Sequence, residues 1–421
     1  MGVVGSKRWS SADALDDHPS WGEIPCNVRA QLLNIQTNDS SVTEVAINFE
    51  SSVSAVAGDL VGAALEGNSV LTSLDLSWND VGAVGVASIC SALKRNSGLT
   101  SLCLISNHIG PAGAESVCAV LERNSVLTSL NLSVNNIGEV GAASVCAALE
   151  RNSVLTILDL SSNHIGAVGA LSVRAALERN SVLTSLNLRD NGIFTAGAVS
   201  MSSALERNSA LTSLNLHRNR IGAAGATSLC SALKLNISLK NLNLRENNIG
   251  DAGAASVCCA LERNRVLKSL NLSDNNIGDA GALSVCCALE RNNVLKSLNL
   301  SDNNIGDAGA LSVCCALERN NVLTSLNLLR NVIGAVSVCS ALERNNVLTS
   351  LNLNYNNVDS YEIARVNVLL QRNLVRSVCR MALLSLMDED YNREEGTLDH
   401  TNVFDLVFQN EYLISRMYSY V

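Results

Sequence analysis

The sequence predicts an α/β solenoid in which short parallel strands form a concave sheet and helices cover the convex side. Three observations predict it. The chain is built from a unit of 28 residues, and residues 266–293 recur without change as residues 294–321. Each unit begins with alternating apolar and polar residues, which is strand periodicity, and continues with apolar residues at helical spacing. Aromatic residues are only 3% of the chain, so the core must be aliphatic.

The repeats share the frame LxxLxLxxN. Eleven clear copies begin at Leu71, Leu99, Leu127, Leu155, Leu183, Leu211, Leu239, Leu267, Leu295, Leu323 and Leu348. A degenerate copy precedes them, with Val42, Val45 and Ile47 on the aliphatic positions. We therefore expect a solenoid of about 12 repeats over residues 41–373. Residues 1–40 form an N-terminal arm with a cap helix, and residues 374–421 form a helical C-terminal cap that protects the open end of the stack.

The strand of each repeat is short. In the copy that begins at Leu127, Leu130 and Leu132 lie on one face, and polar residues lie on the other. Asn135 follows, and an Asn stands at this ninth position in every clear copy. Because an amide both donates and accepts hydrogen bonds, stacked Asn residues can satisfy the backbone groups left open where the strands turn away.

The helix of each repeat follows a glycine-containing turn. Asp251, Asp279 and Asp307 stand near the predicted helix starts, where we expect them to act as N-caps. The Asn that ends the helix, such as Asn152, is expected to close it. The predicted inward face consists of Ala142, Val145, Cys146 and Leu149. Since strands stack about 4.8 Å apart and helices about 8 to 10 Å apart, the array should bend into a horseshoe.

The stretch LTSLNLSVNNIGEVGAASVCAAL, residues 127–149, resembles the ribonuclease-inhibitor-like leucine-rich repeat family and its pattern LxxLxLxxNxIGxxGAxxLxxAL. The resemblance covers roughly residues 42–373 and implies a right-handed horseshoe that binds protein partners. It extends to the repeat region of Nod-like receptors, although the sequence has no P-loop and hence no nucleotide-binding domain of that kind. The Ran-type GTPase-activating proteins share the family, but their catalytic Arg has no matching position here.

The net charge of −9 disfavours nucleic acid as a partner, because nucleic-acid binding needs a basic surface. No apolar run marks a signal peptide or a membrane span, so we expect an intracellular, cytoplasmic protein with reduced thiols. Neither a cofactor nor a metal is expected.

Eight of the fourteen cysteines share one inward helix position: Cys90, Cys118, Cys146, Cys230, Cys258, Cys286, Cys314 and Cys339. The residues after three of these, Cys259, Cys287 and Cys315, should face outward.

The first six residues, MGVVGS, fit the N-myristoylation pattern, which needs Gly2 after removal of Met1 and Ser or Thr at the sixth position. One acyl chain gives only reversible attachment, so the prediction is a peripheral membrane association. The alternative is a chance match in the N-terminal arm.

Variation between repeats collects at the seventh, eighth and tenth positions of the middle copies, and Phe194 stands beside these positions where other repeats have Gly138 or Gly278. An exposed aromatic residue among arginines is a composition typical of protein-binding hot spots. The candidate partner-binding residues are Arg189, Asp190, Phe194, His217, Arg218, Arg220, Arg245 and Glu246. The alternative is that Phe194 turns inward and the arginines are a solvated rim.

Two weaker signals accompany this cluster. Trp78, His108 and His164 share the same edge nearer the N-terminus, where solvated side chains are the simplest interpretation. Arg174 occupies an inward cysteine position, from which its long side chain should reach outward to solvent.

No catalytic constellation emerges from the sequence, since it has neither a nucleophile elbow nor an HExxH motif. The apolar faces in residues 363–370 and 375–387 predict two helices. The aromatic-rich segment 402–421 is either part of the C-terminal cap or a short partner-binding helix. The sequence thus favours an intracellular protein-interaction scaffold, with a regulator of a small GTPase as the alternative. It identifies neither the partner nor the oligomeric state.

Overall fold

The computed structural model describes Leu15 and residues 18–49, 54–334 and 338–391. Gly2 and the segment 402–421 lie outside these residues. The chain divides into two compact units, Met1–Asn247 and Asn248–Val421. Each unit repeats a short strand, a turn and a helix, which confirms the predicted α/β solenoid.

The first unit opens with a helical turn at Trp21–Glu23 and then contains eight strands and eight helices among its described residues. The strands are β1 (Glu44–Ala46), β2 (Ser73–Asp75), β3 (Ser101–Cys103), β4 (Ser129–Asn131), β5 (Ile157–Asp159), β6 (Ser185–Asn187), β7 (Ser213–Asn215) and β8 (Asn241–Asn243). The helices are α1 (Cys26–Gln36), α2 (Ser54–Leu65), α3 (Gly82–Leu93), α4 (Gly110–Leu121), α5 (Gly138–Leu149), α6 (Gly166–Arg179), α7 (Phe194–Leu205) and α8 (Gly222–Leu233).

The described part of the second unit contains four strands and five helices. The strands are β9 (Ser269–Asn271), β10 (Ser297–Asn299), β11 (Ser325–Asn327) and β12 (Ser350–Asn352). The helices are α9 (Gly250–Leu261), α10 (Asp279–Leu289), α11 (Asp307–Arg319), α12 (Val338–Arg344) and α13 (Ser360–Tyr391). Among the described residues, none of the helices has the length and apolarity needed to span a bilayer.

The strands of each unit pair in parallel and in chain order, with equivalent residues side by side. In the first unit Leu130 lies beside Leu158, and in the second Leu298 lies beside Leu326. Leu130 and Leu132 are buried, as are all four predicted inward residues of α5. The core of each unit is therefore the aliphatic layer between its strands and its helices, where each fully buried side chain contributes roughly 1.5 to 3 kcal/mol.

The Asn row after the strands behaves as predicted. The Asn135 Nδ2 donates to the Leu104 carbonyl at 2.7 Å and to the Ser133 carbonyl at 3.0 Å. The Asn135 backbone N–H donates to Asn163 Oδ1 at 2.9 Å. Each Asn thus bonds backbone groups of its own repeat and of the preceding one, which confirms its structural role.

A second Asn row closes the helices. The Asn152 Nδ2 donates to the Leu121 carbonyl at 2.7 Å, and its Oδ1 accepts from the Leu155 N–H, also at 2.7 Å. Asn180, the C-cap of α6, has an extended backbone with φ −77° and ψ 123°. The backbone N–H of Asn152 closes its own helix as the sequence predicts, donating to the Ala148 carbonyl at 2.9 Å, whereas the side chain closes the helix of the preceding repeat, since Leu121 is the last residue of α4.

The prediction that Asp251, Asp279 and Asp307 cap their own helices is wrong. Asp279 is the first residue of α10, and its Oδ1 accepts from Gly306 N at 2.7 Å and from Gly309 N at 2.9 Å, at the start of α11. Asp251 likewise accepts from Gly278 N and Gly281 N at the start of α10, and Asp307 accepts from Gly334 N, so each carboxylate binds backbone of the following repeat. The closely stacked helix starts bring those amides within reach, and a negative charge is favourable there.

The two ends of the described chain differ from the repeats. In α1 the apolar residues Val28, Leu32 and Ile35 are buried, and the Ile35 carbonyl accepts from Asn68 Nδ2 at 2.7 Å. At the other end the prediction of two helices is wrong, because α13 runs without a break from Ser360 to Tyr391. The predicted boundary at residues 373 and 374 lies inside this helix.

The Arg372 side chain of α13 binds the carboxyl-terminal end of α12. Its Nη2 donates to the carbonyls of Leu342 at 2.7 Å and of Asn345 at 2.8 Å. The side chain is only 8% exposed, whereas the equivalent Arg344 side chain, one repeat earlier, is 72% exposed. A buried guanidinium thus occupies the carbonyl end of α12, where a positive charge is favourable.

The cysteine register is largely as predicted. Six of the eight inward cysteines are buried, while Cys118 and Cys258 are half-buried; Cys259, Cys287 and Cys315 are exposed. Burial raises the pKa of the Cys146 thiol to about 12, so it stays protonated at neutral pH.

Candidate protein-binding site

The eight predicted site residues all lie in the first unit, where the chain leaves β6, β7 and β8. We call them the edge cluster: Arg189, Asp190, Phe194, His217, Arg218, Arg220, Arg245 and Glu246. The backbone at the eighth position is left-handed in each of these repeats, with φ 53° at Asp190, 59° at Arg218 and 53° at Glu246. The structure therefore places the eight residues along three successive turns at one edge of the sheet.

The fifth position of each repeat supports the turn. Asn187 Oδ1 accepts from the Arg189 N–H at 3.1 Å, and Asn215 Oδ1 accepts from the His217 N–H at 3.0 Å. These Asn side chains bend back to hold the strand end. This role explains why the fifth position varies little, whereas the side chains at the seventh position are free to differ.

Charges alternate along the eighth position. Arg218 lies between two carboxylates, with Nη1 3.5 Å from Asp190 Oδ2 and Nε 3.3 Å from Glu246 Oε1. The Arg218 side chain is 54% exposed. Ion pairs at such exposure contribute little to folding, so they remain available for exchange with the charges of a partner.

The His217 side chain is only 12% exposed, less than the other edge-cluster side chains that contact an oppositely charged or hydrogen-bonding neighbour, Arg218, Asp190 and Glu246. Its Nε2 lies 3.3 Å from Glu246 Oε2. Burial lowers the pKa of His217; the hydrogen bond to Glu246 opposes this shift, and the positive charges of Arg189 and Arg245 add to it. The imidazole is therefore neutral at pH 7, with two guanidinium groups near it.

Phe194 is held in a backbone conformation that bulky residues rarely adopt. Its φ is 55°, at a twelfth position where Gly138 and Gly222 have φ 65° and 67°. A non-glycine residue in this region costs about 1–3 kcal/mol. The ring is 44% exposed. The side chain therefore faces outward and does not turn into the core.

Gly192 lies beside this ring. The tenth position carries a side chain in the neighbouring repeats, His164 and Arg220, but glycine here. A Cβ at residue 192 would lie 3.4 Å from Phe194 Cε2. On the next repeat the Arg220 guanidinium carbon lies 5.9 Å from the ring centroid, a cation–π contact. The ring is thus positioned at the surface by both neighbours.

The second predicted group is looser. Trp78 is 70% exposed, and His108 Nδ1 lies 2.7 Å from Asp80 Oδ1 with both side chains largely exposed. Within the described part of the chain, no contact joins Trp78, His108 and His164 into one group. Arg174 does reach outward as predicted, with Nε 2.9 Å from Glu178 Oε1.

Sequence reasoning missed one pair in the second unit. The Arg330 guanidinium carbon lies 5.1 Å from the ring centroid of Tyr355, which is 75% exposed. Both residues occupy the eighth position of their repeats, as Trp78 does. The signal was available, because aromatic residues between the two ends of the chain are rare and these share one register.

Comparison with known proteins bears on the fold. A family model described as "Leucine Rich repeat" matches eight segments, residues 67–90, 123–146, 151–173, 179–202, 207–230, 235–258, 263–286 and 291–314. No curated protein matches the chain significantly. These segments confirm leucine-rich repeats, and this class of repeat supports a protein-interaction scaffold in general.

Two solved structures are similar to the chain. Leiomodin-1 Actin-Binding Site 2 is 24% identical with a TM-score of 0.34, covering 38% of this chain and 95% of that one. The TLR13–ssRNA13 complex is 19% identical with a TM-score of 0.46, covering 69% of this chain and 40% of that one.

Proposed function

We propose that the chain is a non-enzymatic interaction scaffold that binds a protein partner through the edge cluster. The observation that carries the proposal is Phe194, an exposed aromatic ring in a left-handed backbone where neighbouring repeats have glycine. A conformation that costs stability, with nearly half of the ring in water, gives the fold little net stability. It is the arrangement expected of a binding residue.

The arginines of the edge cluster indicate which charge a partner's surface should carry. Arg189 and Arg245 flank His217 at the seventh position, and Arg220 lies against the Phe194 ring. An apolar side chain beside carboxylates would complement this surface, because the ring supplies apolar contact area and the arginines supply charge. The surface thus favours an acidic protein segment over nucleic acid, since the chain as a whole carries a net charge of −9.

The test compares partner binding by two variants in the cells that express the protein. In the first, alanine replaces Arg189, Phe194, Arg218 and Arg245. In the second, alanine replaces Asn276 and Asn304, which are exposed tenth-position residues of other repeats. Cross-linking followed by quantitative mass spectrometry should show partners lost only from the first variant. Equal recovery by both would overturn the proposal.

The alternative of a small-GTPase regulator has its own test. Purified protein is added to a panel of small GTPases, and the rate of GTP hydrolysis is measured. A scaffold leaves that rate unchanged. An acceleration that survives alanine substitution of the edge cluster would favour the regulator.

We further propose that Gly2 is myristoylated and that the protein attaches reversibly to membranes from the cytoplasmic side. The sequence MGVVGS followed by Lys7 and Arg8 supports this proposal. One acyl chain and two basic residues provide weak anchorage, the basic residues adding about 1 kcal/mol each. Intact-mass analysis should find the acyl group on the wild type and not on Gly2→Ala; an unmodified Gly2 from eukaryotic cells would overturn the proposal.

A further inference from the structure

Glu and Arg residues at the ends of the repeat helices form a ladder of ion pairs. In the first unit Glu122 pairs with Arg151 at 3.3 Å, and Glu150 pairs with Arg179 at 2.7 Å. In the second unit Glu290 pairs with Arg319 at 2.9 Å. Each Glu thus contacts the Arg that stands 29 residues later, on the following repeat.

This ladder is interrupted around α7. Arg174, at a position where other repeats carry cysteine, pairs with Glu178 within its own helix. Glu178 is the ladder partner expected for Arg207. One repeat later the sequence has Leu235 in place of the Arg expected to meet Glu206. Among the described residues, neither the Glu206 carboxylate nor the Arg207 guanidinium has an ion-pair partner within 4.0 Å.

The same interruption exposes two aliphatic side chains. Leu235 is 63% exposed and Ile237 is 75% exposed. The corresponding residues of the preceding repeat are Arg207 and Ser209. Such exposure removes little apolar surface from water, so these side chains stabilise the isolated chain only slightly. We call Glu206, Arg207, Leu235 and Ile237 the ladder gap.

We propose that the ladder gap is a self-association surface, and that its partner is the ladder gap of a second copy of this chain. A two-fold contact places the same patch on both copies, so residue i meets j while j meets i. The ladder gap fits this requirement because it carries one unpaired acid, one unpaired base and two exposed aliphatics. Glu206 of each copy meets the other copy's Arg207, and the aliphatic side chains pack between the two ion pairs.

The dimer is weak and reversible. Four side chains from each copy form a contact below the ~1,200 Å² of a standard interface, a size typical of transient association. Lys234 and Lys240 flank the ladder gap and place like charges at its rim, which further limits the affinity. The dimer does not depend on the edge cluster. It would present two edge clusters to a partner and so increase avidity for a clustered ligand.

The test is sedimentation velocity of the full chain over a concentration series at physiological ionic strength. The wild type should show a monomer–dimer equilibrium. Leu235→Arg with Ile237→Ser restores the residue types of the preceding repeat and gives Glu206 a ladder partner, so this variant should remain folded by circular dichroism and stay monomeric. Val84→Ser, at a valine that is 77% exposed outside the ladder gap, is the matched control and should dimerise like the wild type.

Charge exchange tests the geometry of the contact. Glu206→Arg or Arg207→Glu alone should weaken dimerisation about tenfold, because each sets like charges opposite each other twice in a two-fold contact. The two changes together should restore it. A wild type that is monomeric throughout, a dimer that persists in Leu235→Arg with Ile237→Ser, or a double charge exchange that fails to restore association would each overturn the proposal.

Discussion

Gly192 and Phe194 exchange the residue types that neighbouring repeats place at the tenth and twelfth positions. The glycine at 192 lies beside the ring, and a Cβ there would make an ordinary van der Waals contact with it, 3.4 Å from Phe194 Cε2. The phenylalanine at 194 takes the left-handed conformation with φ 55° that Gly222 adopts with φ 67° one repeat later. The two positions are therefore neighbours in space, and the phenylalanine at 194 brings an aromatic ring to the surface.

Phe194→Gly should change the free energy of unfolding by less than about 1 kcal/mol, because relief of backbone strain offsets the lost contacts of a half-exposed ring. Chemical denaturation measures the change. The matched control is Gly138→Phe, which imposes the same strain without a glycine at 136 and should destabilise by about 1–3 kcal/mol. A loss of several kcal/mol in Phe194→Gly would instead show that the ring is a structural residue.

Asn163→Ala should destabilise the first unit by about 2–4 kcal/mol. The change removes the acceptor of the Asn135 N–H and the donor to the Leu132 carbonyl, bonded at 2.9 Å and 2.8 Å, and leaves both groups buried. The neighbouring His164 is exposed, so His164→Ala should change stability by no more than about 0.5 kcal/mol. Similar effects of the two substitutions would contradict the structural role of the Asn row.

The fold was predictable from the sequence because its determinants are periodic. Leu130 and Leu132 alternate with polar residues, and the Asn135 position recurs in every clear copy, so pattern alone specifies strand, turn and inward face. The capping carboxylates were not predictable in the same way. Asp279 binds the amide of Gly306, a residue 27 positions away, and only the closeness of successive helix starts reveals that contact.

The sequence indicated the edge cluster because residues such as Arg218 and Phe194 differ from the residues at the same positions of other repeats. The sequence could not decide whether the ring turns outward, because that depends on φ and on the space above Gly192. The ladder gap escaped notice for another reason. In the sequence Leu235 is an ordinary aliphatic residue. Only the ion pairs of the other repeats show that it stands where an Arg would contact Glu206.

Thiol reactivity should separate two rows of cysteines. Burial raises the pKa of Cys146 and Cys90 to about 12, so these thiols are protonated and shielded at neutral pH. Cys259 and Cys287 are exposed. Iodoacetamide at pH 7.5 followed by peptide mass spectrometry should modify the exposed pair rapidly, and the buried pair only after denaturant is added. Equal labelling of both pairs in the folded protein would contradict the described packing.

His217 should make stability depend on pH. Burial lowers its pKa below the ordinary value of 6.5, and the hydrogen bond to Glu246 opposes that shift only in part. As the pH falls below about 6.5, His217 binds a proton in the unfolded chain, while in the folded chain it stays neutral until a lower pH is reached. The free energy of unfolding therefore decreases as the pH falls from the pKa of His217 in the unfolded chain to its pKa in the folded chain. At higher pH, His217 does not lower the stability.

His217→Asn removes the titrating group and should abolish this part of the pH dependence, which denaturation at a series of pH values measures. The chemical shift of the His217 ring in an NMR titration reports the folded pKa directly. His164 is exposed, so His164→Asn serves as the control for replacing a histidine by asparagine. Because Arg189 and Arg245 also lower the pKa of His217, a carboxylate that binds between them should raise it. A partner with that chemistry would accordingly bind more tightly as the pH falls from the pKa of His217 in the complex towards its lower pKa in the free protein. A binding constant that does not change with pH would exclude contact with this part of the edge cluster.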